Sequence, residues 1–175
     1  DYYGRSLAIK EEIGDKGGMG ITLGNIGIVH SDKGDYDKAL DYYERSHAIQ
    51  EELGNKRGMG NSLGNIGGVH YNKGDYDTAL DYYKRSHAIF EEIGDKRGMG
   101  YSLLNIGNVH YDKGDYKKAE EYLQKSLTIQ KEIGLGSDNL LMTTAHLYLS
   151  YKQLSKVYDE QEIQKLIKGT EDITA

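Results

Sequence analysis

Between residues 57 and 72 the larger apolar residues Met59, Leu63, Ile66 and Val69, with His70, fall at i, i+4, i+7, i+10 and i+11. This spacing puts them on one face of a helix and leaves small and polar residues on the other. Gly74-Asp75 follows. Glycine suits the left-handed residue that ends a helix, and aspartate caps the next one. A second helix is predicted over 76–93, with Ala79, Tyr83, Ser86, Ile89 or Phe90, and Ile93 turned inward, closed by Gly94-Asp95. The same two patterns return over 17–32 with 36–53, and over 97–112 with 116–133. The first member of each pair is helix A and the second helix B. Gly27, Gly67 and Gly107 in helix A, opposite Ala39, Ala79 and Ala119 in helix B, would let antiparallel backbones approach closely.

The segment GDYDKALDYYERSHAIQEELGNKRGMG from Gly34 is repeated from Gly74 as GDYDTALDYYKRSHAIFEEIGDKRGMG. A looser copy starts at Gly114, and a partial one opens the chain at Asp1. A fixed period of this size marks a solenoid, in which each unit buries its apolar face against its neighbours. The expected organisation is one solenoid domain. Residues 1–13 are a truncated helix B, residues 14–53, 54–93 and 94–133 are full repeats, and 134–175 form a degenerate capping repeat. In that last part Ser137 or Asp138 caps a helix reaching Leu154, with Leu141, Ala145, Tyr148 and Leu149. A final short helix follows over 159–167. Lys152, Lys156, Lys165 and Lys168 suit a solvent-facing cap, and residues beyond Gly169 read as frayed. Asp1 aligns with Asp41, in the middle of a repeat, so the chain reads as a piece of a longer array.

Composition narrows the functions. Hydrophobic residues make up 37%, as befits a thin continuous seam, and glycine contributes 23 of 175 residues. Proline and cysteine are absent, so disulfides and thiolate metal sites are excluded, with a lean towards the cytoplasm. There is no signal-like segment, and no apolar run of the ~18 residues needed to span a membrane. The net charge of −6 argues against nucleic acid, whose backbone demands clustered Lys and Arg.

Leu63-x2-Ile66-Gly67-x2-His70, followed by Ala79-x3-Tyr83 and the small Ser86, resembles the tetratricopeptide repeat signature. Leu63 stands at its Trp position and His70 at its Tyr position. The period is about 40 residues rather than the usual 34, and Glu51 or Glu91 replaces the proline that ends helix B. This resembles the longer-period branch that includes kinesin light chain, the Leu-Gly-Asn-repeat polarity adaptors and peptide-sensing regulators. The resemblance implies an all-α, right-handed superhelix of antiparallel helix pairs, about nine helices in all. It also implies a concave groove, lined by helix A, that holds a peptide or partner segment.

By family position, Ile21, Gly24, Asn25, Ile28, Ser31 and Asp32 face that groove in the first repeat. In the second they are Asn61, Gly64, Asn65, Gly68, Tyr71 and Asn72. In the third they are Tyr101, Leu104, Asn105, Asn108, Tyr111 and Asp112. Asn25, Asn65 and Asn105 recur at one position, and an amide offers both donor and acceptor to a peptide backbone. They can equally bond within their own repeat or face water. Gly24, Gly64 and Gly68 permit close ligand approach, or are simply tolerated copies. Tyr71, Tyr101 and Tyr111 offer aromatic contact area, although most of the 16 tyrosines fill seams. Arg57 and Arg97 open their helices beside Asn55 and Asp95. They either meet a ligand carboxylate or pair locally. Gly, Asn and Ile fill the positions of the two-carboxylate clamp found in chaperone-binding relatives.

Catalysis finds no support in the pattern. His30, His70 and His110 recur once per repeat, too far apart to converge on one metal, and His47 and His87 are replaced by Leu7 and Leu127. The pairs Glu51-Glu52 and Glu91-Glu92 point apart on exposed helix, and Gly58-Met59-Gly60 lacks the strand and lysine of a phosphate loop. The expected function is a non-enzymatic protein-interaction scaffold without cofactor, metal, nucleic acid or membrane. The alternatives are a structural spacer that associates end to end, and a peptide-sensing module of a larger signalling protein.

Overall fold

The computed structural model describes residues 2–134 and 137–154. Among them lie eight α-helices: α1 (Tyr2–Glu12), α2 (Lys16–Asp32), α3 (Tyr36–Glu52), α4 (Lys56–Asn72), α5 (Tyr76–Glu92), α6 (Lys96–Asp112), α7 (Tyr116–Glu132) and α8 (Ser137–Gln153). The all-α class and the succession of helix pairs are as expected. The ninth helix expected over 159–167, the lysines Lys156, Lys165 and Lys168 and the tail beyond Gly169 lie outside the described residues. The chain divides at Gly94 into two compact units.

Glycine ends each helix that leads into another. After α4, Gly74 takes φ of 81°, a conformation that costs other residues strain. The Asp75 amide then reaches back to the His70 carbonyl at 2.9 Å, closing the Schellman turn. The capping expectation needs one correction. Asp15, Asn55 and Asp95 accept from the amides of Gly18, Gly58 and Gly98 and so cap helix A. At helix B, Asp115 caps α7 through Lys118, whereas Asp35 and Asp75 make no side-chain cap bond. Their carboxylates instead lie 3.2 and 3.5 Å from Nδ1 of His30 and His70.

Within unit 1, α2 pairs with α3 and α4 with α5. The contacts run antiparallel: Lys16 at the start of α2 pairs with Glu52 at the end of α3, while His30 near the end of α2 stacks on Tyr42. Lys56 with Glu92 and His70 with Tyr82 repeat this in the second pair. Ala39 and Tyr43 of α3 join Ile66 and Val69 of α4 in a buried cluster, which ties one pair to the next. In unit 2, Lys96 pairs with Glu132 at 2.9 Å. Leu104, Ala119, Leu123 and Leu147 join α6, α7 and α8 in a second cluster.

The seam differs from expectation at two places. Phe90 is the inward residue near the end of α5, while Ile93 is 37% exposed. The helix A glycines also meet rings and branches rather than the alanines opposite. A Cβ on Gly27 would lie 2.6 Å from the Tyr43 ring, and one on Gly67 would lie 2.9 Å from the Tyr83 ring. On Gly107 it would lie 2.7 Å from Leu123. Glycine is therefore present so that a large helix B side chain can press on the helix A backbone.

Candidate functional site

Each repeat is knitted by a bond the sequence pattern did not reveal. Ser46 Oγ donates to the Gly20 carbonyl at 2.8 Å, Ser86 to Gly60 at 2.8 Å and Ser126 to Gly100 at 2.7 Å, all buried. The signature's small residue thus supplies a hydroxyl as well as space. The glycine partner matters too, since a Cβ on Gly60 would sit 2.9 Å from Phe90. The spacing of 26 residues between each Ser and its Gly, fixed in all three repeats, is the signal that could have exposed the bond.

The side chains that hold A to B leave the opposite stripe of helix A out. The bonds through Ser46, Ser86, Ser126, Gln50 and Gln130 do not involve Asn25, Asn65 or Asn105. Those three asparagines are half-buried, alike in each copy. In unit 1, Ile21 and Ile28 lie on the same stripe of α2, 65% and 44% exposed. On α4, Asn61 is exposed and Tyr71 is half-buried, its ring 5.8 Å from that of Tyr76. In unit 2, Tyr101 is 40% exposed, and the buried Oδ1 of Asn108 has no hydrogen-bond partner. Tyr111 packs beside the Leu104 cluster with its ring 5.3 Å from Tyr116. Arg57 and Arg97 are exposed in the first turns of α4 and α6. Leu104 corrects the expectation for its position: it is 5% exposed, buried in the cluster with Leu147 of α8.

Two kinds of glycine now separate. Gly27, Gly60, Gly67 and Gly107 have no room for a methyl group beside Tyr43, Phe90, Tyr83 and Leu123. Gly24, Gly64 and Gly68 have room: a Cβ there would meet only Ser46 Oγ at 3.6 Å, Ser86 Oγ at 3.5 Å and Tyr83 Oη at 3.6 Å. Packing within the repeat does not require these three.

The copies differ on the same stripe. The 17-residue helices α4 and α6 are identical except at Asn61/Tyr101, Gly64/Leu104, Gly68/Asn108 and Asn72/Asp112. Steps of three and four residues place all four on one helix face. One of the four, Leu104, packs into the cluster with Leu147 of α8.

The histidines serve structure. His30, His70 and His110 stack on Tyr42, Tyr82 and Tyr122 at 5.4, 5.5 and 5.5 Å between centroids. The hydrogen bond from His30, followed by the charge of Lys38, lowers the Asp35 pKa. For Asp115 the lowering comes first from its bond with Lys118. Among the described residues no group of three His, Cys, Asp or Glu is placed to hold a metal, and no helix is long and apolar enough to cross a membrane.

The tetratricopeptide repeat family model matches residues 1–52 and 58–132. This chain is a tetratricopeptide-repeat protein. Its fold is similar to that of BtubC from P. vanneervenii, with a TM-score of 0.78 and 19% identity over 98% of this chain and 70% of that one. It is also similar to a kinesin-light-chain-like protein of Podosopora anserina with nearly identical TPR-like repeats. There the TM-score is 0.66 and the identity 16%, over 99% of this chain and 84% of that one. A third likeness is to a signal-transduction ATPase from Pyrococcus horikoshii with a tetratricopeptide repeat sensor, with a TM-score of 0.72 and 19% identity. That match covers 97% of this chain and 26% of the ATPase. No curated protein sequence matches the chain significantly. Tetratricopeptide repeats generally mediate protein–protein interactions, and the fold is typically a non-catalytic scaffold.

Proposed function

We propose that the outer stripe of helix A binds a peptide segment of a partner protein. In unit 1 the stripe runs over α2 and α4. Asn25 and Asn65 bond the ligand backbone, Gly24, Gly64 and Gly68 let it come close, and Ile21 and Ile28 receive its apolar side chains. In unit 2, Asn105, Asn108 and Tyr101 offer the corresponding groups on α6. The observation that carries this reading is the half-buried asparagine at one position of each helix A, Asn25, Asn65 and Asn105, outside the bonds that hold A to B. Asparagine is a poor mid-helix residue, and its amide offers both donor and acceptor to a peptide backbone. A sensory role within a larger signalling protein uses the same stripe and differs only in what the bound peptide controls.

The test begins with peptides selected from a displayed random library against the whole chain. Their affinity is then measured for the Asn25→Ala/Asn65→Ala variant. Each lost amide–backbone bond is worth about 1 kcal/mol, so binding should fall about tenfold or more with the helical circular dichroism signal unchanged. Equal affinity in the folded variant would rule out the asparagines as backbone anchors.

A further inference from the structure

Tyr83 carries a hydroxyl that packing does not explain. The residue is 4% exposed, and its ring lies against the Gly67 backbone, 2.9 Å from where a Cβ would stand. Phenylalanine would fill that notch equally well. The hydroxyl reaches one residue further. A Cβ on Gly68 would meet Tyr83 Oη at 3.6 Å and nothing else within 4 Å. Gly68 is half-buried on the α4 stripe, between Asn65 and Tyr71. A helix B side chain thus passes beside helix A and brings its polar end to the stripe.

Among the described residues nothing hydrogen-bonds to Tyr83 Oη. A buried phenol normally finds a partner. Burial is the whole cause that raises its pKa to about 12, so near neutral pH the group keeps its proton and is a donor without an acceptor.

The other pairs treat this place differently. In the third, Leu123 stands for Tyr83 and Asn108 for Gly68, and the buried Oδ1 of Asn108 again has no partner. Where the tyrosine is lost, a polar group returns from the stripe itself. In the first, Tyr43 is kept, but Ile28 stands for Gly68, and the charge of Asp32 adds to burial in raising the Tyr43 pKa. Only the second pair combines the phenol with a glycine that leaves its approach open.

We propose that Tyr83 is a binding residue of the stripe, donating its hydroxyl proton in a hydrogen bond to a backbone carbonyl of the bound peptide above Gly68. This rests on the reading of the stripe as a peptide site. Gly64 and Gly68 leave room for main chain to come close, and Asn65, three residues away, takes the neighbouring peptide group. A carbonyl is the acceptor rather than a carboxylate, because the donor is neutral and the α4 stripe (Asn61, Gly64, Asn65, Gly68, Tyr71 and Asn72) carries no charge.

Tyr83→Phe keeps the ring in the Gly67 notch and removes the hydroxyl alone. The probes are library-selected peptides that Asn25→Ala/Asn65→Ala weakens. They should bind Tyr83→Phe about fivefold more weakly, while the urea midpoint of the variant stays level or rises. The same peptides, with one amide at a time replaced by an ester, place the contact, because an ester carbonyl is a weaker acceptor. One replacement should weaken binding to the native chain more than binding to Tyr83→Phe. Equal affinity for Tyr83→Phe, or ester effects alike in both chains, would leave water as the partner of the hydroxyl and overturn the proposal while the asparagine anchors stand. A lowered urea midpoint would show that the hydroxyl serves the fold, and overturns it too. If no selected peptide depends on the asparagines, the stripe reading and this one fall together.

Discussion

The 17-residue helices α4 and α5 sit side by side, yet α4 carries glycine at 58, 60, 64, 67 and 68 and α5 carries none. Mid-helix glycine costs roughly 0.5–1 kcal/mol against alanine, so α4 has weak intrinsic stability and α5 supplies what it lacks. Part of that cost is returned by packing. Gly60 and Gly67 accept Phe90 and Tyr83 against the backbone, and a buried aromatic ring of this kind stabilises by about 2 kcal/mol. Gly64 and Gly68 return nothing inside the repeat, because a methyl group would fit at either. The comparison teaches that α5 is built for stability, while α4 gives up stability at Gly64 and Gly68, which packing within the repeat does not require.

The dependence of α4 on α5 breaks most severely at Tyr83, which is 4% exposed. Tyr83→Ala removes the ring from the Gly67 notch and should cost about 3–4 kcal/mol in urea unfolding. Amide hydrogen exchange in α4 should accelerate more than in α5. A loss below about 1 kcal/mol would mean that helix A stands without its partner.

A smaller effect follows from the same buried phenols. Burial raises the Tyr43 pKa to about 12, with the nearby Asp32 adding to it, and burial alone raises Tyr83 to about 12. Their folded-state values lie above the ordinary value near 10, so the folded state holds these protons more tightly. The resulting stability is fully present below pH ~10 and is lost as pH rises towards ~12, at most about 3 kcal/mol for each ring. Urea midpoints measured between pH 9 and 12 should fall steeply, and Tyr43→Phe should flatten the fall. A midpoint that stays level across that range would contradict the burial of these rings.

Much of this was legible in the sequence because period and turn chemistry are local signals. The 40-residue repeat and the Gly-Asp punctuation placed helix A and helix B within a residue or so of their observed ends. The direction in which individual side chains are spent was not legible. Whether Asp75 caps α5 or turns to His70 depends on a ring one helix away. Whether Gly64 and Gly67 serve the same purpose depends on what lies across from each, and they prove opposite: Gly67 is filled by Tyr83, while Gly64 is not filled. Leu104 was placed on the groove by analogy with Gly24 and Gly64. It turns out buried because α8 brings Leu147 against it, a long-range contact that no repeat spacing encodes.

The central claim is the proposed one, that a ligand uses the part of the α4 stripe, at Gly64 and Gly68, which packing within the repeat does not require. Gly64→Ala/Gly68→Ala tests it in one experiment with two readouts. The double variant should be more stable than the native chain by about 1 kcal/mol or more. The library-selected peptides that occupy unit 1 should bind it about fivefold more weakly, because the added methyl groups fill the floor on which they lie. A variant that unfolds more easily, or one that binds those peptides as well as the native chain does, would contradict the account.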